Sequence, residues 1–131
     1  MRALPSVRMN DFRALRVWHK AHALTLAVYR ATSAFPPSER IGLVAQIRRA
    51  AVSVPANIAE SCGRRTNRDE AHLLQVAFGS ACELEAELLL AHDLGMLPDD
   101  AHTSLIADVV EVKRMLGTLA SRTYSRAAPM C

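Results

Sequence analysis

Arginine is the residue type that this sequence offers most readily for chemistry with a partner. Arg48, Arg64, Arg65 and Arg68 lie close together in the chain, and Arg13, Arg16 and Lys20 add positive charge before them. Guanidinium forks match phosphate oxygens, so Arg48, Arg64, Arg65 and Arg68 are the candidate nucleic-acid contacts. No helix-turn-helix, RNA-binding sheet or aromatic-plus-basic platform accompanies them. The competing reading is a solvated or intersubunit face. A second set is polar rather than basic. Gln46, Arg49, Ser53, Asn57, Glu60 and Arg64 recur at intervals of 3, 4, 4, 3 and 4, which makes one straight stripe along a helix. Glu83, Glu85 and Glu87 follow in the second half of the chain. Pairing positions about a turn near residue 65 puts Arg49 opposite Glu83 and Gln46 opposite Glu85. Gln46, Arg49, Asn57, Glu60, Glu83 and Glu85 are therefore expected to form a structural polar network that sets the register of two helices.

Catalytic and metal chemistry find less support. Carboxylate-bridged metal bundles use Glu-x-x-His, and no Glu here has His three residues on. His19 and His22 share a helical edge, but no further His or Cys motif completes a ligand set. The sequence has no glycine-rich phosphate loop, no Gly-x-Ser-x-Gly elbow and no Cys-x-x-Cys, each of which carries a definite mechanism. The expectation is no catalytic residues, no metal and no cofactor. Cys62, Cys82 and Cys131 are an odd number without framework spacing, which suits a reducing cytoplasm. No apolar run is long enough to span a membrane, and residues 1–14 lack the pattern of a signal peptide.

The elements that must position these residues are helices. Half of the 131 residues are hydrophobic, with Ala and Leu, both strong helix formers, prominent among them. Apolar residues recur at three and four over four segments. The first is expected over 11–34, with Leu15, Trp18, Ala21, Val28 and Thr32 inward, ending at Phe35-Pro36-Pro37. Ser38 is placed as the cap of the second, whose stripe runs through Ile47, Ala51, Val54 and Ile58. Pro55 lies inside it, and the apolar phase is kept across the proline, so a bent but continuous helix is expected. Asn67 and Glu70 have the form of a capping box for the third, which runs about 40 Å to Leu94, with Leu73, Ala77, Ala81, Leu84 and Leu88 inward. Gly95 stops it, and Pro98 opens the fourth. Its seam is Leu105, Val109, Val112, Leu116 and Leu119. Short turns between long helices give an all-α, antiparallel up-down four-helix bundle over 11–122. Residues 1–10 are read as a flexible N-terminal segment and 123–131 as a frayed tail.

The charge is divided unevenly. Residues 1–68 hold twelve Lys/Arg and three Asp/Glu, and residues 69–131 hold four and ten. Such halves neutralise each other within a subunit or attract across a head-to-tail contact. Repetition of that contact with a closing rotation makes a ring. Leu26, Leu74, Leu89 and Leu90 fall outside the expected core stripes and could supply the contact area.

The run QIRRAAVSVPANIAE from Gln46 to Glu60, with Val17-Trp18 through Tyr29, Phe35-Pro36, Gly42-Leu43, Gly63-Arg64, Gly79-Ser80, Glu83-Leu84-Glu85 and Leu94-Gly95, resembles the bacterial four helix bundle protein family. That family is also called the 23S ribosomal-RNA intervening-sequence protein family, after members encoded inside large-subunit ribosomal RNA genes. The likeness covers residues 11–120. Its motif residues here are Arg48, Arg49, Pro55, Asn57, Glu60, Gly63, Arg64, Glu83 and Glu85, none with a catalytic role. Ser61, Ala71 and Ile41 stand where the family usually has Gly, Phe and Tyr. The resemblance implies a homopentameric ring and kinship to the accessory protein of diversity-generating retroelements, which binds nucleic acid and a reverse transcriptase. The expected function is a non-catalytic, homo-oligomeric interaction module of the cytoplasm whose partners are itself, RNA or DNA, and a reverse transcriptase or other protein. The alternatives are a small metal-binding or enzymatic bundle and a purely structural assembly module.

Overall fold

The computed structural model describes residues 11–127, and every regular element among them is helical. Four α-helices carry the fold: α1 (Arg16–Thr32), α2 (Leu43–Ser61), α3 (Asn67–Asp93) and α4 (Asp99–Ala127). Short 3-10 turns at Phe12–Ala14 and Pro37–Glu39 precede α1 and α2. Helices α2 and α4 each pack against both α1 and α3. One core results, built on Leu24 and Val28 of α1, Ile47, Val54 and Ile58 of α2, Leu84 and Leu88 of α3, and Val109, Val112 and Leu116 of α4. Ala50, Ala51, Ala77 and Ala81 are buried in it, and such small side chains let helix backbones approach.

The first helix is shorter than the spacing predicts. Asp11 caps the 3-10 turn by accepting from the Arg13 amide, and the α-helix starts only at Arg16. Ser38 is not the cap of α2. It lies inside the Pro37–Glu39 turn, and α2 starts at Leu43 behind Gly42. Thr66, one residue before the expected Asn67, caps α3 by accepting from the Asp69 amide at 3.1 Å. The end of α3 is as expected. Gly95 has φ +81, a left-handed conformation cheap only for glycine. Its amide reaches the His92 carbonyl and the Met96 amide reaches that of Ala91, the paired bonds of a Schellman stop.

Pro55 is inside a continuous α2. Proline has no amide proton, so the Ala51 carbonyl loses its intrahelical donor. The Thr25 hydroxyl of α1 takes that place at 3.1 Å, sharing its proton with the Ala21 carbonyl at 2.8 Å. Three other expectations are corrected. Leu74, placed outside the core, is fully buried, and Leu73, placed inside, is half-buried. In the last helix Leu119 is half-buried while Ala120 and Thr123 are buried. Helix α4 accordingly continues to Ala127, through much of the expected frayed tail. The expectation of a flexible segment over 1–10 lies outside the described residues.

Candidate functional site

The polar stripe of α2 divides into three environments. At its centre, Ser53 and Ser80 share a 2.7 Å hydrogen bond between α2 and α3, and the Asn57 amide donates to the Ser53 carbonyl at 2.8 Å and its hydroxyl at 3.0 Å. Toward the C-terminal end Glu60 pairs with Arg64 one turn later. At the other end, Gln46 and Arg49 are exposed. Arg49 makes no ion pair with Glu83 or Glu85. Glu85 instead holds Lys113 of α4 at 2.7 Å. Glu83 and Glu85 are two residues apart, close to opposite sides of a helix, so the two cannot both face α2, and Glu85 is the one turned to α4.

Glu83 and Glu87, one turn apart on α3, form an acidic pair. Oε1 of Glu87 is enclosed without a hydrogen-bond partner among the described residues. Burial first, and the Glu83 carboxyl second, push its pKa up to about 7, against the opposing pull of the Arg49 charge. A carboxyl in this setting is half-protonated near neutrality.

Arg48, a candidate phosphate contact, is occupied within the fold. Its Nε donates to the Thr32 hydroxyl at 2.9 Å, and Nη2 donates to the Tyr29 carbonyl at 3.1 Å and the Ser33 hydroxyl at 3.3 Å. Its guanidinium lies 4.4 Å from the Tyr29 ring centroid. This is a cap on the C-terminal end of α1, where exposed carbonyls and the helix dipole favour a cation. Arg64 is held by Glu60. Arg65 and Arg68 are exposed at the α2–α3 turn.

Four of the five histidines are also engaged. His19 hydrogen bonds to the Arg13 carbonyl at 2.7 Å, and His22 stacks on Trp18 at 4.7 Å, with Phe12 at 4.8 Å on the same indole. His92 bonds Asp99 at 2.7 Å and stacks on His102 at 4.2 Å, tying α3 to α4. The Asp99 hydrogen bond leads the effects that raise the His92 pKa. Among the described residues no group of three or more His, Cys, Asp or Glu is arranged to hold a metal. Cys62 is buried, and burial pushes its thiol pKa up, away from the thiolate form that reacts.

The feature that sequence reasoning missed lies between the start of α1 and the end of α4. A groove of about 540 Å³ has Leu15, Met115 and Leu119 among its walls, with Arg16, Arg114 and Arg122 around it. Beside it Lys20 holds Glu111 at 3.0 Å. Arg114 and Arg122 were legible as basic residues of the last helix. Their meeting with Arg16 depends on α1 lying beside α4, which spacing alone does not give.

The class defined by this arrangement is a small all-α protein of four packed helices. Residues 13–118 match the model of the family described as 23S rRNA-intervening sequence protein, and the chain belongs to that family. A crystal structure of a protein with unknown function from the S23 ribosomal protein family, from Bacteroides thetaiotaomicron, superposes with a TM-score of 0.75 at 19% identity, covering 86% of this chain and 99% of that one. The likeness is one of fold. Among curated proteins none matches the chain. No helix among the described residues is long and apolar enough to cross a membrane.

Proposed function

We propose that the chain is a non-catalytic assembly module: an antiparallel, up-down four-helix bundle whose copies close into a ring, five-membered as the family resemblance implies. The exposed apolar surface carries this reading. Leu26 on α1 and Leu89, Leu90 and Leu94 at the end of α3 are 45–57% exposed outside the core, and exposed large apolar side chains favour association where a partner covers them. The up-down arrangement is supported by cross-helix bonds whose numbers run in opposite directions: Thr25 with Ala51 but Thr32 with Arg48, between α1 and α2. Light scattering on the purified protein tests the assembly. A mass several times the 14.3 kDa of one chain is expected; a stable monomer or an isologous dimer overturns the ring.

A partner follows from the charge once the helices run up and down. Residues 11–24, 52–80 and 112–127 gather at one end, and they hold ten Lys/Arg against four Asp/Glu. Residues 25–51 and 81–111, at the other end, hold four against nine. The contrast between sequence halves becomes a contrast between the ends of the bundle. A rim of that sign attracts polyanions, and the partner we propose for it is nucleic acid. Mobility-shift titration at low salt checks this: complexes that weaken steeply with salt are expected, and no complex with any DNA or RNA refutes it.

A further inference from the structure

We propose that the groove between α1 and α4 is a binding site for single-stranded nucleic acid, with Arg16, Arg114 and Arg122 on the phosphates and Leu15, Met115 and Leu119 under the sugars and bases. The proposal rests on the nucleic-acid reading above and assigns it a place. The three arginines are exposed, and none forms a hydrogen bond or ion pair with another described residue. That separates them from Arg13, Arg48 and Arg64, whose guanidiniums are bound to Asp11, to Thr32 with Tyr29, and to Glu60. The carboxylate beside the groove is already taken: Glu111 is held by Lys20, and its pKa is lowered by that bond first and by the charges of Arg114 and Arg16 after it. The local charge is therefore in surplus. No acidic residue lines the groove itself.

The dimensions select the ligand. Arg114 and Arg122 are eight residues apart on one helix, about 12 Å at the helical rise. A chain of phosphates can meet both at once with the side chains extended along the groove. The groove is a concavity of about 540 Å³ between two helices. A duplex is a convex rod that receives helices into its own grooves, so it does not enter one. A single strand does, and proteins that hold single strands combine a positive groove with flat or apolar surfaces for the bases. Aromatic surface is close at hand: Trp18 follows Leu15 by one turn and stacks with Phe12 and His22.

Two measurements on the full chain test this. The first is anisotropy of a fluorescein-labelled 12-nucleotide oligouridine, titrated with wild type, with the triple variant R16Q/R114Q/R122Q, and with R65Q/R68Q. The triple variant should bind on the order of tenfold or more weakly, and its log–log salt slope should be shallower by about 2, as expected for three lost phosphate contacts on a single strand. R65Q/R68Q should lose less. Unlabelled duplex of matched length should compete at least tenfold less well than the single strand. The three arginines are exposed and unpaired, so the triple variant should keep its helical circular dichroism and melting temperature. The second measurement guards against an indirect effect: the strand should quench Trp18, the single tryptophan, in wild type, and Leu119→Glu should reduce both quenching and affinity. No binding by wild type overturns the nucleic-acid reading and this one with it. Strand binding that survives the triple variant but fails in R65Q/R68Q overturns only the groove assignment. Duplex preferred over single strand, or an acidic amphipathic peptide bound in place of the strand, also overturns it.

Discussion

Arg48 at the C-terminal end of α1 and the arginines at its N-terminal end are the same residue type in opposite circumstances. Arg48 meets a helix terminus with the Tyr29 carbonyl, two hydroxyls and an aromatic face within reach. Arg16, Arg114 and Arg122 border a largely apolar groove in which no carboxylate stands and to whose residues they make no hydrogen bond. A guanidinium is consumed where unsatisfied acceptors surround it and remains available where they do not. The difference teaches that basic charge in a sequence is a poor guide to a binding surface until the acceptors around each residue are known. The largest expected effect tests the consumed side. Arg48→Ala should lower the unfolding free energy by about 2 kcal/mol, since it removes charge-assisted bonds to the end of α1, measured by urea denaturation. Arg48→Lys should recover only part, because a lysine lacks the planar fork. A full recovery would show that charge, and not bonding geometry, is what Arg48 supplies.

Thr25 sharpens the same comparison with a neutral group. Its hydroxyl serves the carbonyl that Pro55 deprives of a donor. Thr25→Val keeps the shape and removes the bond, so a half-buried carbonyl is left wanting, at a cost of about 1 kcal/mol. In a Pro55→Ala background the alanine amide can bond to Ala51, and the cost of Thr25→Val should shrink. A double-mutant cycle reads this directly. Equal costs in the two backgrounds would mean that the threonine does not compensate for the proline.

The sequence displayed the proline and kept its apolar phase, so helix continuity at Pro55 could be read from it. The donor that makes continuity inexpensive could not, because Thr25 lies on another helix and looks like a core position. The register of α2 against α3 was nearly legible. Pairing about a turn near residue 65 puts Arg49 opposite Glu83, whereas the Ser53–Ser80 bond puts it opposite Leu84. That one-residue slip, and the assignment of Glu83 and Glu85 to one face, hid the carboxylate pair of Glu83 and Glu87. Leu73 and Leu74 show the same limit: each fits an apolar spacing, and a 100° rotation about α3 decides between them. In the site, Arg48 and Arg64 were marked for phosphate because the sequence shows charge, and only the fold shows Tyr29, Thr32 and Glu60 beside them.

Glu87 is the unconsumed group on the acidic side, and its effect depends on pH. Its folded pKa of about 7 lies above the ordinary 4.5, so the folded state binds the proton more tightly than the unfolded chain. The sign follows from linkage: stability from this group is present below pH 4.5 and falls as pH rises toward 7. Glu87→Gln removes the ionisation. Relative to wild type it should be more stable at pH 8, with the advantage vanishing below pH 4.5. Thermal melts across that window measure it. Arg49→Ala should steepen the wild-type loss, since Arg49 opposes the rise. A Glu87→Gln advantage that persists unchanged at pH 4 would place its origin in packing rather than in the Glu83–Glu87 pair.

The smallest expected effect is the one that isolates the groove. Arg114→Ala removes a guanidinium that makes no bond within the fold, and surface changes of this kind stay within about 0.5 kcal/mol. Repulsion supplies the direction. Arg114 adds to the positive charge of Arg16 and Lys20, which Glu111 partly offsets. Removing Arg114 should therefore leave stability unchanged or raise it slightly at low ionic strength, and salt should erase the difference by screening. Urea titrations at two salt concentrations resolve the point. A clear loss of stability would mean that Arg114 has an acceptor in solution, which would make it a second Arg48 and remove the contrast between the two ends of α1. A neutral or slightly positive result, beside the loss expected for Arg48→Ala, would show that the fold has no need of the charge it keeps in the groove.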